Sequence, residues 1–352
     1  MRVIPGRRRV LNDTGNQTMK RAIAAAALIA TMTAVGFLES CRGGAAAPLL
    51  RTVSDVPMPG AAVRFDYQSM DLAHHRLYIS HMDDNHLVVF DLKSRRVIAN
   101  IAGVPGSTGV LAVPEVGKIF ASASRIGKVA VIDPQSLKVV DLVPAGRFPD
   151  GIAFDPGTGR IFVSDESGGA DIVIDAKTNR RLARIPVGGG VGNTRFDPVS
   201  RLIMVTVGDR NQLVTIDPIA LRVVNRYSLP GADHPHGLYI DAPARLAFVA
   251  CDGNARVLVV DLGTMRVISK LPVGDGPDVL TFDPGLQRLY VACESGIVSV
   301  FDLHGRSLTR RGDVFVAKEA HTIAVDPRTH WIYLPLENVD GRPLLRIMAP
   351  AS

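Results

Sequence analysis

The stretch GDGPDVLTFDPGLQRLYVACESGIVSVFDL, Gly274 to Leu303, decides the fold. Its apolar runs VLTF, LYVA and VSVF are each only a few residues long and are separated by Gly, Pro, Asp and Ser. Short apolar runs bounded by turn residues mark β-strands joined by tight hairpins. The Asp-Pro between the first two runs has a local explanation: the Asp side chain caps the turn and Pro presets φ for the next residue.

The unit recurs along the chain. FDYQSMDLAHHRLYIS begins at Phe65, AVPEVGKIFAS at Ala112, FDPGTGRIFVS at Phe154 and FDPVSRLIMV at Phe196. IDAPARLAFVA begins at Ile240, FDPGLQRLYVA at Phe282 and VDPRTHWIYLP at Val325. The anchors are Asp66, Val113, Asp155, Asp197, Asp241, Asp283 and Asp326, at spacings of 47, 42, 42, 44, 42 and 43. A second series falls in phase: LVVFDL, VAVIDP, DIVIDA, LVTIDP, VLVVDL and VSVFDL, with a degenerate copy LLRIMA from Leu344. A further apolar run follows each good copy, so each unit offers four short strands. Four strands at this period predict an all-β, seven-bladed β-propeller. The last unit stops after its third strand, and LLRTVSDVPMPG from Leu49 aligns with the missing fourth. The N-terminal segment is therefore expected to complete the last blade and close the ring.

The repeat resembles the YVTN-type (YncE-like) seven-bladed propellers common among exported bacterial proteins. FPDGIAFDPGTGRIFVSDESGG, the opening stretch and AHTIAVDPRTHWIYLPLE carry the resemblance, which runs from about Leu49 to the C-terminus. It implies the fold and an exported location, and little about activity. A single tryptophan, Trp331, argues against tryptophan-docked quinoprotein propellers and the Trp-Asp repeat class.

Composition agrees. In 352 residues, 47% hydrophobic content supplies a core. Of the formal charge of +6, most belongs to the first 41 residues, which hold six basic and two acidic groups. No strong nucleic-acid-binding face is expected. Residues 1–41 read as an export signal, with a start at Met19 as an alternative: Lys20-Arg21 precedes 17 uncharged residues, Ala22 to Leu38. Leu38-Glu39-Ser40-Cys41 resembles a lipobox, with Glu39 outside the pattern. The alternatives are a lipid anchor at Cys41, cleavage near Ala45-Ala46-Ala47 and a retained membrane anchor. Residues 42–48 form a linker and 49–352 the propeller. The expected location is the periplasm or cell envelope as a lipoprotein, or the medium as a secreted protein.

Equivalent positions in each blade locate a candidate site. Five residues before the anchors the ring reads Ala61, Thr108, Asp150, Gly192, His236, Asp278 and His321. Ten residues after them a second ring reads Ala123, Asp165, Val207, Cys251, Cys293 and Leu336, with His81 from blade 1. The next position adds Glu166, Asp252, Glu294 and Glu337. These positions predict a channel mouth rich in imidazole and carboxylate. His236, Asp278, His321 and Glu337 have the donor set of a divalent metal, with His236, His321 and Glu337 as catalytic candidates. The streptogramin-type lyases, another propeller class, use a His/Glu mouth of this kind. Polar residues lining a wet channel are the simpler reading. His234 is expected outside the rim, and His74, His75 and His330 on the opposite face. Cys251 and Cys293 occupy equivalent seats in adjacent blades; Cα atoms there should lie roughly 9 Å apart, beyond the roughly 7 Å a disulfide spans. A disulfide, buried free thiols and soft-metal ligation with His236 stay open. GGGVG at Gly188 has no helix after it, so a phosphate loop is excluded. The leading expectation is an exported binding or scaffold module for a protein, glycan or small ligand. The alternatives are a metal-dependent lyase or hydrolase at the mouth and a partner of an exported redox system.

Overall fold

Each repeat folds as a four-stranded antiparallel sheet, and seven such sheets form the blades of a β-propeller. The computed structural model describes residues 48–351. The leader, Cys41 and the alternative cleavage site lie outside the described residues. Among those described, no helix is long and apolar enough to cross a membrane.

The innermost strands of blades 1 to 7 are Gln68–Asp71, Ser107–Val113, Pro149–Asp155, Val191–Asp197, Pro235–Asp241, Pro277–Asp283 and Ala324–Asp326. The hydrophobic core lies between blades. One cluster joins Phe120, Val129 and Val131 of blade 2 to Ile152, Ile161 and Ile172 of blade 3. Both faces of every sheet are covered in this way, which is why the second and third strands read as unbroken apolar runs.

The anchor aspartates cap turns, as their Asp-Pro context predicts. Asp155 accepts the Gly157 amide at 2.9 Å and Asp283 that of Gly285 at 2.9 Å. Blade 1 departs from the sequence reading. Its turn is capped by Asp71, which accepts the His74 amide at 3.1 Å, and not by Asp66. With the anchor at Asp71 the first spacing becomes 42, like its neighbours. The sequence around Phe65-Asp66 imitates the Phe-Asp of the other blades, and it is strand pairing, Asp71 opposite Arg76, that sets the register.

Basic side chains link successive blades. Lys118 Nζ donates to the Ala176 carbonyl at 2.9 Å, 58 residues on. Arg76 and Arg160 reach the carbonyls of Pro134 and Pro218 across the same interval of 58 residues. The ring is closed by Leu50–Pro57, which pairs antiparallel with Arg342–Pro350 and so becomes the outer strand of blade 7. Arg346 and Asp55 join the two strands with an ion pair at 2.6 Å. The inner strands of blades 7 and 1 then stand side by side.

A chain beginning at Met58 would lack this outer strand and expose the edge of Arg342–Pro350. Its thermal midpoint is expected to fall by about 5 °C or more, and its open edge to pair between molecules. Differential scanning calorimetry and light scattering measure both; an unchanged, monomeric melt would show that closure does not need this strand.

Candidate ligand-binding site

Correcting the register of blade 1 corrects the first ring. The seat five residues before the anchor is Asp66, not Ala61, so the ring reads Asp66, Thr108, Asp150, Gly192, His236, Asp278 and His321. All but Thr108 line one cavity of about 470 Å³ at the channel mouth. The position eleven residues after the anchor adds Met82, Glu166, Gly208, Asp252 and Glu294 to the wall, and Arg64 and Asp209 complete its charged lining. Two sequence offsets, repeated around the ring, therefore build the cavity.

The second expected ring is elsewhere. His81, Ala123, Asp165, Val207, Cys251, Cys293 and Leu336 are all at most 1% exposed and face the packing between blades. Each ends or nearly ends its strand, and alternation turns it into the sheet while the following residue turns to the mouth. His81 stacks on Phe65 at 4.0 Å, and burial lowers its pKa. Asp165 accepts the amides of Arg147 and Phe148 at 2.8 and 3.0 Å and shapes the loop into blade 3. Cys251 and Cys293 are buried and unpaired, so no disulfide forms. Burial pushes both thiols up to about 12, and neither lines the cavity, which removes soft-metal ligation with His236. Glu337 is also outside the cavity lining. The second strand of blade 7, Trp331–Val339, runs on through this position where other blades have already turned. Burial first, then Glu319, raises its carboxyl to about 7. His234 is exposed at the edge, bonded to Asp233 at 2.8 Å. On the opposite face His74 pairs with Asp71, and His330 holds Asp283 of blade 6 at 2.8 Å, so His330 is more than a solvated turn residue.

A chain of charges crosses the cavity. His236 Nδ1 meets Asp278 Oδ1 at 3.0 Å, and its Nε2 faces Asp150 Oδ2 at 3.8 Å. Asp278 Oδ2 meets His321 Nε2 at 3.0 Å, with Asp66 Oδ1 at 3.2 Å from the same nitrogen. His321 Nδ1 faces Glu294 Oε1 at 3.1 Å. Both ring nitrogens of His321 thus donate to carboxylates. Desolvation opposes its charge, yet Asp278, Asp66 and Glu294 hold its pKa well above the usual histidine range. Asp278, facing two imidazoles, is held well below the carboxylate range against the cost of its burial. Arg64 donates to Glu294 at 3.0 Å, and its Nη2 stands 2.9 and 3.1 Å from the two nitrogens of His321. The guanidinium therefore lies against the imidazole, and the surrounding carboxylates favour the charged form of both.

Neighbouring blades fix the backbone of this chain. Ser122 of blade 2 donates to the Asp150 carbonyl at 2.7 Å, and Thr206 of blade 4 to that of His236 at 2.7 Å. The position after the ring seat is crowded: a Cβ at Gly109 or Gly237 would lie 1.9 Å from the carbonyl oxygen of Asp150 or Asp278. Blade 1 has Tyr67 there. Its inner strand starts only at Gln68, so the ring is free to enter the channel. Tyr67 donates to Asp150 at 3.3 Å and accepts from Asn193 Nδ2 at 2.7 Å. It forms the floor of the mouth cavity. Arg64, Asp66 and Tyr67 were missed by the sequence reading; the regular spacing of 42 from Asp71 was the signal that could have found Asp66.

Asp278, Glu294 and His321 each offer a ligand atom within 4.8 Å of the others, and among the described residues neither His236 nor Glu337 joins this group. Arg64 already sits against two of its members.

The imidazoles set a pH dependence. Desolvation lowers the pKa of His236, but Asp278, Asp150 and Glu166 outweigh it and lift it to about 10. A histidine pKa raised on folding contributes stability in full below its unfolded value of about 6.5, and this is lost as pH rises toward the folded value. Asp150 is raised to about 7, mainly by burial, so its cost grows as pH climbs above the ordinary aspartate value. His236→Gln is expected to lower stability by about 1–3 kcal/mol at pH 6, and by much less near pH 9.5. Urea unfolding at the two pH values measures this; an equal loss at both would mean that His236 is neutral in the fold.

No family model matches the chain, and no curated protein matches it. Among solved structures 1788 chains match, so the architecture is too widely shared to identify an activity. One is a chain of hydrazine synthase from Kuenenia stuttgartiensis, with a TM-score of 0.71 and 16% identity over 85% of this chain and 98% of that one. The likeness shows a shared propeller fold.

Proposed function

We propose that this protein is a binding module whose channel mouth takes a small ligand carrying positive charge. The observation that carries the reading is the contact of the Arg64 guanidinium with the His321 imidazole inside a ring of Asp66, Asp278 and Glu294, which favours positive charge on both. A site that favours positive charge on two groups in contact has a strongly negative potential. Seven carboxyl groups line the cavity (Asp66, Asp150, Glu166, Asp209, Asp252, Asp278 and Glu294), against Arg64 and three histidines. Its volume of about 470 Å³ suits a small molecule, and the propeller provides a rigid frame. A diamine such as putrescine matches this chemistry. Calorimetric titration with putrescine is expected to show saturable binding, weakened about tenfold or more by Asp278→Asn. No heat with putrescine, or equal binding by the variant, would sink the reading.

The alternative is a divalent cation on Asp278, Glu294 and His321, which would equip the mouth as a metal-dependent lyase or hydrolase. The convergence of these three favours it, and the guanidinium of Arg64 beside them opposes it. Titration with Mn²⁺ and Zn²⁺ separates the readings. Tight metal binding that Arg64→Ala strengthens would favour the metal, and metal binding no tighter than for Asp278→Asn would exclude it.

The repeat's resemblance to YVTN-type propellers and the basic, apolar leader support export, with residues 1–41 removed or with a lipid anchor at Cys41. Mass spectrometry of the processed N-terminus is expected to show a lipidated Cys41 or a chain that starts after it. A mature protein that retains the leader would contradict export by cleavage.

A further inference from the structure

Tyr67 has a second side. Below it the channel opens on the opposite face into another cavity of about 470 Å³, formed by blades 1 to 4. The chemistry there is different. Leu111, Ile152, Phe154 and Phe196 supply apolar walls, and Glu115 stands exposed at the rim. The cationic group of this cavity is Arg195, on the inner strand of blade 4.

Arg195 is partly buried in the channel and its guanidinium forms no ion pair with any described carboxylate. Its one hydrogen bond runs from Nη1 to the carbonyl of Thr194 at 3.0 Å. Four other arginines form ion pairs, Arg64 with Glu294, Arg245 with Asp197, Arg288 with Asp302 and Arg346 with Asp55, while Arg76 and Arg160 have none and donate to carbonyls of a neighbouring turn. The charged and ionisable groups that act on Arg195 are Tyr67, Asp150 and Tyr239, and Asp150 is engaged by Tyr67 on the other side of the floor. A guanidinium cannot shed its proton in a protein, so its desolvation has to be offset by acceptors, and an anion offsets it most strongly. Its remaining N–H donors have the fork geometry that a carboxylate accepts.

We propose that this second cavity is a separate binding site for a small organic carboxylate, with its anionic head on Arg195 and its apolar body against Leu111, Ile152, Phe154 and Phe196. The site does not depend on what occupies the acidic mouth. It gives the propeller two chambers of different preference, an acidic one and an apolar-walled one that holds the Arg195 guanidinium, with the Tyr67 ring between them.

Benzoate and its neutral analogue benzamide test the site. Calorimetry or ligand-observed NMR on the wild-type protein is expected to show benzoate binding at least about tenfold more tightly than benzamide, the effect of a charge-assisted hydrogen-bond pair. Arg195→Met should abolish the difference, Arg195→Lys should keep part of it, and Asp278→Asn in the other chamber should leave it intact. The wild-type comparison needs no variant, so a failure of Arg195→Met to fold does not remove the test. Equal affinity for the two probes, no saturable binding of benzoate, or a benzoate preference that survives Arg195→Met would each overturn the proposal.

Discussion

The structure depends on ring closure. Seven sheets packed face to face bury their apolar residues only if the last sheet also meets the first. The pairing of Leu50–Pro57 with Arg342–Pro350 completes the last sheet, since it builds blade 7 from both ends of the propeller, and Tyr333, Leu345 and Ile347 of that sheet pack on Leu77, Ile79 and Phe90 of the first. Without it blade 7 would keep an open outer edge, while its inner strands would still face blade 1. The strand buries little apolar surface of its own: half of its eight residues are exposed and only Leu50 is buried. Its worth lies in backbone pairing and in the closed geometry that it enforces.

Closure also makes the site. In a repeat fold, one offset in the sequence becomes one height in the channel, and seven distant residues become a ring. Arg64 meets His321 across 257 residues in this way. Convergence brings many carboxylates to one place, and their mutual repulsion has to be offset. The molecule does this with internal cations: His236 and His321 are held protonated, and Arg64 is laid against His321. Asp150, the least exposed carboxyl of the mouth, is instead pushed toward neutrality. The charge pattern that invites a ligand and the pattern that keeps the empty mouth stable are the same set of contacts.

Tyr67 lines both cavities of the channel. Where other blades have Gly109, Gly151 or Gly237, blade 1 has a ring that reaches Asp150 and Asn193. This aromatic ring, the only one at this position of the repeat, lies between two cavities with different chemistry.

The sequence by itself determined the architecture. Period, turn residues and the unbroken apolar runs are local features, and they specified seven blades, four strands each and the closing strand at the N-terminal end. Aligned positions also placed Asp150, His236, Asp278, His321, Glu166, Asp252 and Glu294 at one mouth. Tertiary structure decided the rest. The Phe-Asp at Phe65 looked like an anchor until pairing put Asp71 in that role, so Asp66 entered the site. A shift of one residue sends a side chain from the mouth into the sheet, and it separated His81, Asp165, Cys251 and Cys293 from Glu166, Asp252 and Glu294. Glu337 was displaced by the continuation of its own strand. Periodicity tells which residues share a level; which way each one points is set by strand pairing, and that is a property of the assembled ring.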